Sequence, residues 1–270
     1  MPTLRLLSYN VRYGGAGREH ALAGVVRATE ADVVMLQEAT DPRVVRRVAE
    51  LAGYPQWGAR AGHSTGFLSR VPVASHAWHR PFGSRHPFLE VELREPAWRL
   101  FGLHLAAWFS KWVERRRARE IRALLDGIRE HQEGFHLICG DFNALAPGER
   151  LEVARMPRWI QAMVWLSGRD IARDTIQVML DAKYADAWRR LHPDEAGYTF
   201  PTWDPHVRLD YVFLPAGGAD RLKECRIVAD GPRVAAASDH FPLLAHVELG
   251  NASPASQNEQ GQARDEKRND

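Results

Sequence analysis

Two packed β-sheets covered by helices, in a mixed α/β (α+β) chain, are the architecture this 270-residue sequence predicts. Three observations predict it. Short β-capable runs broken by Gly and Pro fill 55–105 and return over 207–247. Segments with helical spacing of apolar residues occupy 19–29, 41–53, 111–130 and most of 147–192. Polar residues able to do chemistry stand beside strand after strand from position 10 to position 240; if they converge, they bind that whole length into a single domain.

In order along the chain, Thr3 to Tyr9 is a short strand that ends at Asn10, and a loop with Gly14, Gly15 and Gly17 follows. That loop lacks the third glycine and the βαβ setting of a nucleotide fingerprint. Leu22, Val25 and Val26 share one face of a helix over 19–29. Val33 to Leu36 is an apolar run of strand length ending in Gln37-Glu38. Asp41 and Pro42 open the next helix as N-cap and first residue, and Gly53 ends it. A meander of Thr65–Ser69, Val73–Trp78, Phe88–Leu93 and Trp98–His104 precedes a helix in which Ile121, Leu124, Leu125 and Ile128 form the stripe. Residues 135–139 then make a strand. Residues 147–192 read as mostly helical, packing on a sheet rather than covering a site. Val207–Leu214, Leu222–Val228 and Phe241–Val247 close the pattern. From Gly250 the composition turns to Ser, Gln, Asn and mixed charge, so 1–249 is expected to be the folded domain and 250–270 a disordered tail.

Composition excludes several classes. With 45% hydrophobic and 26% charged residues, the chain has the material for a sizeable core. A net charge of +2 carries no global nucleic-acid signal, so any basic patch must be local. Two cysteines cannot form a multi-bridge framework, and no uncharged run approaches the ~18 residues a spanning helix needs. No secretion-type leader is evident at the first residues. A cytoplasmic monomer is the expectation.

The chemistry is read from what flanks each strand. Asn10, Glu38 and His104 follow apolar runs. Asp141 and Asn143 follow Leu137 to Gly140. Asp210 opens a strand, and Asp239-His240 precedes one. Taken alone, Gly140-Asp141-Phe142-Asn143 fits a capped turn as well as a site; were the strand to persist, Asp141 and Asn143 would project the same way. The set as a whole suits hydrolysis of a phosphate ester. Glu38, with Asn10 or Asp239, offers hard oxygen ligands for Mg²⁺. Asp141 can orient or deprotonate the attacking water, and Asn143 can hold an oxygen. His104 and His240 can donate to developing charge, Asp210 fixing the tautomer of His240. No zinc cluster, Gly-x-Ser-x-Gly or P-loop is present.

Ser8-Tyr9-Asn10, Leu36-Gln37-Glu38, Gly66 to Arg70, Leu103-His104-Leu105, Gly140 to Asn143, Arg208 to Tyr211 and Ser238-Asp239-His240 together resemble the endonuclease/exonuclease/phosphatase superfamily, of deoxyribonuclease I-like fold, in family order over about 3–248. The resemblance implies a four-layer α/β/β/α sandwich of two mainly antiparallel sheets. It also implies Mg²⁺- or Mn²⁺-dependent hydrolysis of a phosphodiester or phosphomonoester. By position, it makes Glu38, Asn10 and Asp239 metal ligands, and His104, Asp141, Asn143, Asp210 and His240 catalytic. Which of Asp141 and His240 is the base stays open. Ala39-Thr40 after Glu38 and Leu103-His104-Leu105 depart from abasic-site endonucleases. Phe142-Asn143-Ala144 and Leu209-Asp210-Tyr211 depart from inositol polyphosphate 5-phosphatases. The expected substrate is a phosphodiester, nucleic acid being one candidate, and a small or lipid-borne phosphate the alternative; a phosphate binder without turnover is a third reading. The run Lys111 to Arg122, with six basic residues against Glu114 and Glu120, reads as a solvated helix face or a backbone contact.

Overall fold

A computed structural model describes residues 3–132, 134–149, 152–166, 171–230 and 232–248. The tail expected at 250–270 lies outside the described residues. The first half holds β1 (Thr3–Asn10), α1 (Glu19–Thr29), β2 (Val33–Gln37), α2 (Pro42–Ala52), β3 (Gln56–Ala59), β4 (Thr65–Ser69), β5 (Val73–His79), β6 (Phe88–Leu93), β7 (Arg99–His104) and α3 (Lys111–Gly127). The second holds β8 (His136–Asp141), α4 (Arg158–Leu166), α5 (Asp174–Asp181), β9 (Tyr184–Asp186), α6 (Ala187–Leu191), β10 (Asp210–Pro215), β11 (Leu222–Ile227), α7 (Pro232–Ala237) and β12 (Leu243–Glu248). One six-stranded sheet runs β11-β12-β1-β2-β4-β3, the other β5-β6-β7-β8-β10-β9. Pairing is antiparallel except for β1 with β2 and β7 with β8.

Strand periodicity sorts the core into layers. Odd residues of β1 (Leu7, Tyr9) and even residues of β2 (Val34, Leu36) pack with α1, α2 and α7. The alternate residues, Leu4, Leu6, Val33 and Met35, meet Leu100, Leu137, Cys139, Val212 and Leu214 between the sheets. The far face of the second sheet, with Phe101, Ile138, Tyr211 and Phe213, packs against Ile121 and Leu124 of α3 and Ile176 and Met179 of α5. That is the expected helix/sheet/sheet/helix sandwich.

The same periodicity places the polar residues. Counting by two along the inter-sheet positions leads from Leu4 and Leu6 through Ser8 to Asn10, from Leu100 to His104, from Leu137 and Cys139 to Asp141, and from Leu214 and Val212 to Asp210. The layer between the sheets is therefore hydrocarbon through its middle and ionisable at one end. Register completes the row: on adjacent strands of the second sheet, His104 pairs with Asp141, and Asp210 with Asp141.

Several elements depart from expectation. β3 and β9 are too short, at four and three residues, to announce themselves by alternation. The 207–214 strand begins only at Asp210, Val207 making an isolated bridge to Phe200. The helix over 111–130 stops at Gly127 and gives way to a 3₁₀ turn at Arg129–His131. Within the 147–192 segment, α5 packs on the outer face of the second sheet and α6 adds Ala187 and Trp188 to the core between the sheets, whereas α4 packs around Leu145, Val207 and Leu209 beside the site.

Candidate active site

The ends of β1, β2, β7, β8 and β10, with the turn before β12, surround a cleft of about 610 Å³. Glu38, His104, Asp141, Asn143, Asp239 and His240 line it. Asn10 and Asp210 stand directly behind, so all eight residues singled out in the sequence converge.

Asp141 is the hub. Its Oδ2 accepts from Asn10 Nδ2 at 3.0 Å and lies 3.7 Å from His104 Nε2 and 3.8 Å from His240 Nε2. Its Oδ1 accepts the Asn143 backbone N–H at 2.9 Å. Burial disfavours its charge and pushes its pKa up to about 7; Asp210 adds to this, and His240 and the hydrogen bonds oppose it. The Asn10 amide also donates to Glu38 Oε1 at 3.2 Å, bridging the two carboxylates, while its Oδ1 accepts from Arg12 N. Glu38 Oε2 accepts from the Tyr13 N–H, and Asp239 Oδ2 lies 3.3 Å from Arg12 Nε.

His240 Nδ1 is 2.8 Å from Asp210 Oδ2. Burial opposes the imidazolium, but the charge and hydrogen bond of Asp210, with Asp141 and Asp239, outweigh it and raise His240 to about 10. Burial dominates at His104 and lowers it to about 4, against the pull of Glu38. The two imidazoles thus hold opposite states at neutral pH: His240 is a cation, and His104 a neutral ring whose approach to Asp141 is not an ion pair. Asp210 is held in turn by Thr199, whose Oγ1 accepts the N–H groups of Leu209 and Asp210 at 3.0 and 3.3 Å.

Local backbone strain concentrates here. Glu38 (φ 57°), Asn143 (φ 49°), Arg12 (φ 53°) and Tyr13 (φ 45°) all adopt left-handed conformations, each costing on the order of 1–3 kcal/mol. The extended run stops at Asp141, so Asp141 and Asn143 do not project side by side. Instead Asn143 turns back, caps Asp141 with its N–H and gives one amide hydrogen to Leu105 O at 3.0 Å. Gly140 explains how Asp141 gets so close to β7: at φ 146°, a Cβ there would stand 2.0 Å from Leu103 O.

The donor set fits a divalent cation. Glu38 and Asp239 present carboxylates to the cleft beside Asp141, and Asp210 Oδ1 is buried without a hydrogen-bond partner. Asp141, Asp210 and His240 also lie close enough to hold an ion. In that trio the Asp210–His240 contact is already a hydrogen bond, whereas Glu38 offers hard, more accessible oxygens.

Arg12, Tyr13 and Thr199 had no sequence signal and act through their backbone or through contacts to the site residues. Ser238, part of the Ser238-Asp239-His240 motif, donates through Oγ to Asn10 O at 2.7 Å. His86, given no role from sequence, reaches the cleft wall and pairs with Glu120 at 2.9 Å. Other motif residues are structural. Arg208 is buried and grips Asp186 at 2.9 and 2.6 Å, and Arg70 lies 4.6 Å over the Tyr54 ring. Trp159 and Ile160 of α4 join Trp108, Phe109 and Phe200 in the cleft wall, so part of the segment expected to pack on the sheet borders the site instead.

A two-sheet sandwich with paired carboxylates and histidines at one end defines a phosphoric-ester hydrolase of the deoxyribonuclease I-like class. A profile of the Endonuclease/Exonuclease/phosphatase family matches residues 7–240, and the chain belongs to that family. Similar solved structures include a 3′ phosphatase, NExo, from Neisseria bound to a product DNA hairpin (18% identity, 91% of this chain and 100% of that one, TM-score 0.69). An AP endonuclease from Archaeoglobus fulgidus is comparable (16%, 91% and 100%, TM-score 0.70). So is D. rerio TDP2 complexed with single-strand DNA product (19%, 92% and 100%, TM-score 0.65). No curated protein sequence matches significantly. Among the described residues, no helix is long and apolar enough to cross a membrane.

Proposed function

We propose that this chain is a Mg²⁺- or Mn²⁺-dependent phosphodiesterase that directs water at phosphorus. The observation that carries this reading is the position of Asp141, bonded to Asn10 and within 4 Å of both histidines, with Glu38 on the other side of the same Asn10 amide. Glu38, with Asp239 and Asn10, would hold the cation, whose chemistry is to neutralise phosphate charge and polarise the ester. Asn10 would serve as an oxygen ligand only with its amide turned over, because its N–H₂ now faces the carboxylates.

Asp141 accepts the proton of the attacking water, and the Asn143 N–H and Asn10 hold its carboxylate in place. His240 cannot be that base at neutral pH, since Asp210 keeps it protonated; its Nε2–H instead donates to phosphate oxygen as charge develops. His104, neutral, offers a second donor across the cleft, and Asn143 its remaining amide hydrogen.

Purified protein should hydrolyse bis-p-nitrophenyl phosphate, lose activity in EDTA and regain it with Mg²⁺ or Mn²⁺. Metal-loaded protein inert on a panel of DNA, RNA, nucleotides, inositol phosphates and phospholipids would refute the enzyme reading and favour a phosphate binder. A nucleic-acid substrate is supported by what the structural neighbours bind. A lipid-borne phosphate ester is favoured by the cleft itself: Leu105, Trp108, Phe109, Trp159, Ile160 and Phe200 wall it, and no Lys or Arg lines it among the described residues. Residues 1–249 would act as one catalytic unit. Cys139 and Cys225 are both buried free thiols, which suits a reducing cytoplasm.

A further inference from the structure

The cleft opens onto an unusual surface. Trp108 is 57% exposed and its ring lies 5.3 Å from that of Trp159 on α4, itself 53% exposed. Trp112, in the first turn of α3, is 79% exposed; Trp165, near the end of α4, is 61% exposed. On α4 the outward face reads Trp159, Ala162, Trp165 at spacings of three, with Arg158 alongside, while Val164 on the other side is buried. Apolar residues therefore occupy both sides of this surface helix, against the usual pattern.

The helix that follows Trp108 in the chain, α3, supplies charge. Lys111, Arg115, Arg119 and Arg122 fall on one face of α3 and are all exposed. None of the four forms an ion pair among the described residues, whereas Arg117 is buried on Glu114 and Arg116 reaches Glu120. Trp112 borders this basic stripe. At its far end, Gly127 abuts Pro81, the residue before the fully exposed Phe82.

We propose that the α3–α4 surface docks on an anionic lipid bilayer, the tryptophans entering the headgroup layer and the basic stripe meeting lipid phosphates, so that the cleft mouth receives its ester from the membrane plane. This rests on the lipid-borne reading of the cleft. Tryptophan beside outward lysine and arginine is the arrangement an interface selects. A single-stranded nucleic acid is the competing occupant, because it too needs rings and cations. Two features set it second. The cleft through which a strand would pass carries no Lys or Arg, and Trp112 and Trp165 stand outside that path rather than along it.

The test is co-sedimentation of the full chain with vesicles of phosphatidylcholine alone and of phosphatidylcholine with phosphatidylserine at roughly two to one. Expected are binding to the mixed vesicles, loss of binding at high salt, and a drop in partitioning of about ten-fold or more in Trp112→Ala/Trp165→Ala. Lys111→Gln/Arg115→Gln/Arg119→Gln should abolish the preference for phosphatidylserine. Asp141→Asn should bind vesicles like the parent, which separates docking from catalysis. Turnover of a soluble bis-ester without vesicle binding overturns the docking alone, and vesicle binding by a protein inert on every ester overturns the enzyme reading alone. No binding to mixed vesicles, unchanged binding in both surface variants, or tryptophan-dependent binding of a single-stranded oligonucleotide in place of vesicles overturns the proposal. Circular dichroism of each exposed-residue variant excludes unfolding as the cause of lost binding.

Discussion

Asp210→Asn isolates the step on which the mechanism turns. The substitution keeps size and leaves the Thr199 contacts to the backbone intact, but it removes the charge that holds a proton on His240. Burial lowers a histidine's pKa, so without Asp210, and with only Asp141 and Asp239 left to favour the cation, the pKa of His240 should fall from about 10. A buried hydrogen bond to a charged group contributes about 1.5–3 kcal/mol. At about 1.4 kcal/mol per ten-fold in rate, kcat/KM should fall roughly 10- to 100-fold. The alkaline limb of the pH–rate profile, expected near 10 in the parent, should move to lower pH. Stability must follow the same titration. Because the folded pKa of His240 is raised above the ordinary 6.5, its stabilisation is fully present below 6.5 and disappears as pH rises through about 10. The parent's advantage over Asp210→Asn in urea unfolding should therefore be largest at pH 6 and shrink steadily toward pH 10. A variant within three-fold of parent activity, with an unmoved alkaline limb, would refute the role given to this pair.

Other outcomes follow from neighbouring contacts. Asp141→Asn should cost about 10²–10⁴-fold in kcat, and parent kcat/KM should climb as pH rises through about 7, where the buried Asp141 gives up its proton. Retained activity in this variant would remove Asp141 as base. Gly140→Ala should lower unfolding free energy by about 3 kcal/mol or more, read by urea titration, because the new methyl meets Leu103 O in a conformation alanine avoids. Glu114→Ala should cost about 3–5 kcal/mol, since it strands the buried Arg117 guanidinium and the Thr175 N–H that Glu114 accepts at 2.7 Å. It should also raise KM for bulky esters, because Arg117 ties down the cleft-wall loop through Ala106 O and Trp108 O at 2.8 and 3.0 Å.

What the sequence by itself determined was the strands and their ends. Alternation in Leu4-Arg5-Leu6-Leu7 and continuous burial in Val33–Leu36 and Leu137–Cys139 specify strands locally, since a residue's face depends only on its place in a period of two. A polar residue at the next inter-sheet position, whether Asn10, His104, Asp141 or Asp210, is then visible as a break in an apolar series. All eight candidate residues were legible in this way, or through resemblance to the family. Tertiary structure decided what depends on neighbours distant in the chain. Asp141 and His240 stand 99 positions apart in sequence; stacking the two sheets raises the pKa of Asp141 by removing water from it, and raises that of His240, against its burial, by setting Asp210 beside it. Asn143 turns out of the strand to bond Asp141 and Leu105 O, the latter a partner that only the fold brings to it. The placement of α4 at the cleft, with its tryptophans outward, follows from packing on Leu145, Val207 and Leu209. Helical periodicity identifies an apolar segment but not which surface it meets. Desolvation, close approach and surface juxtaposition are properties of the packed chain, so they had to be read from the fold.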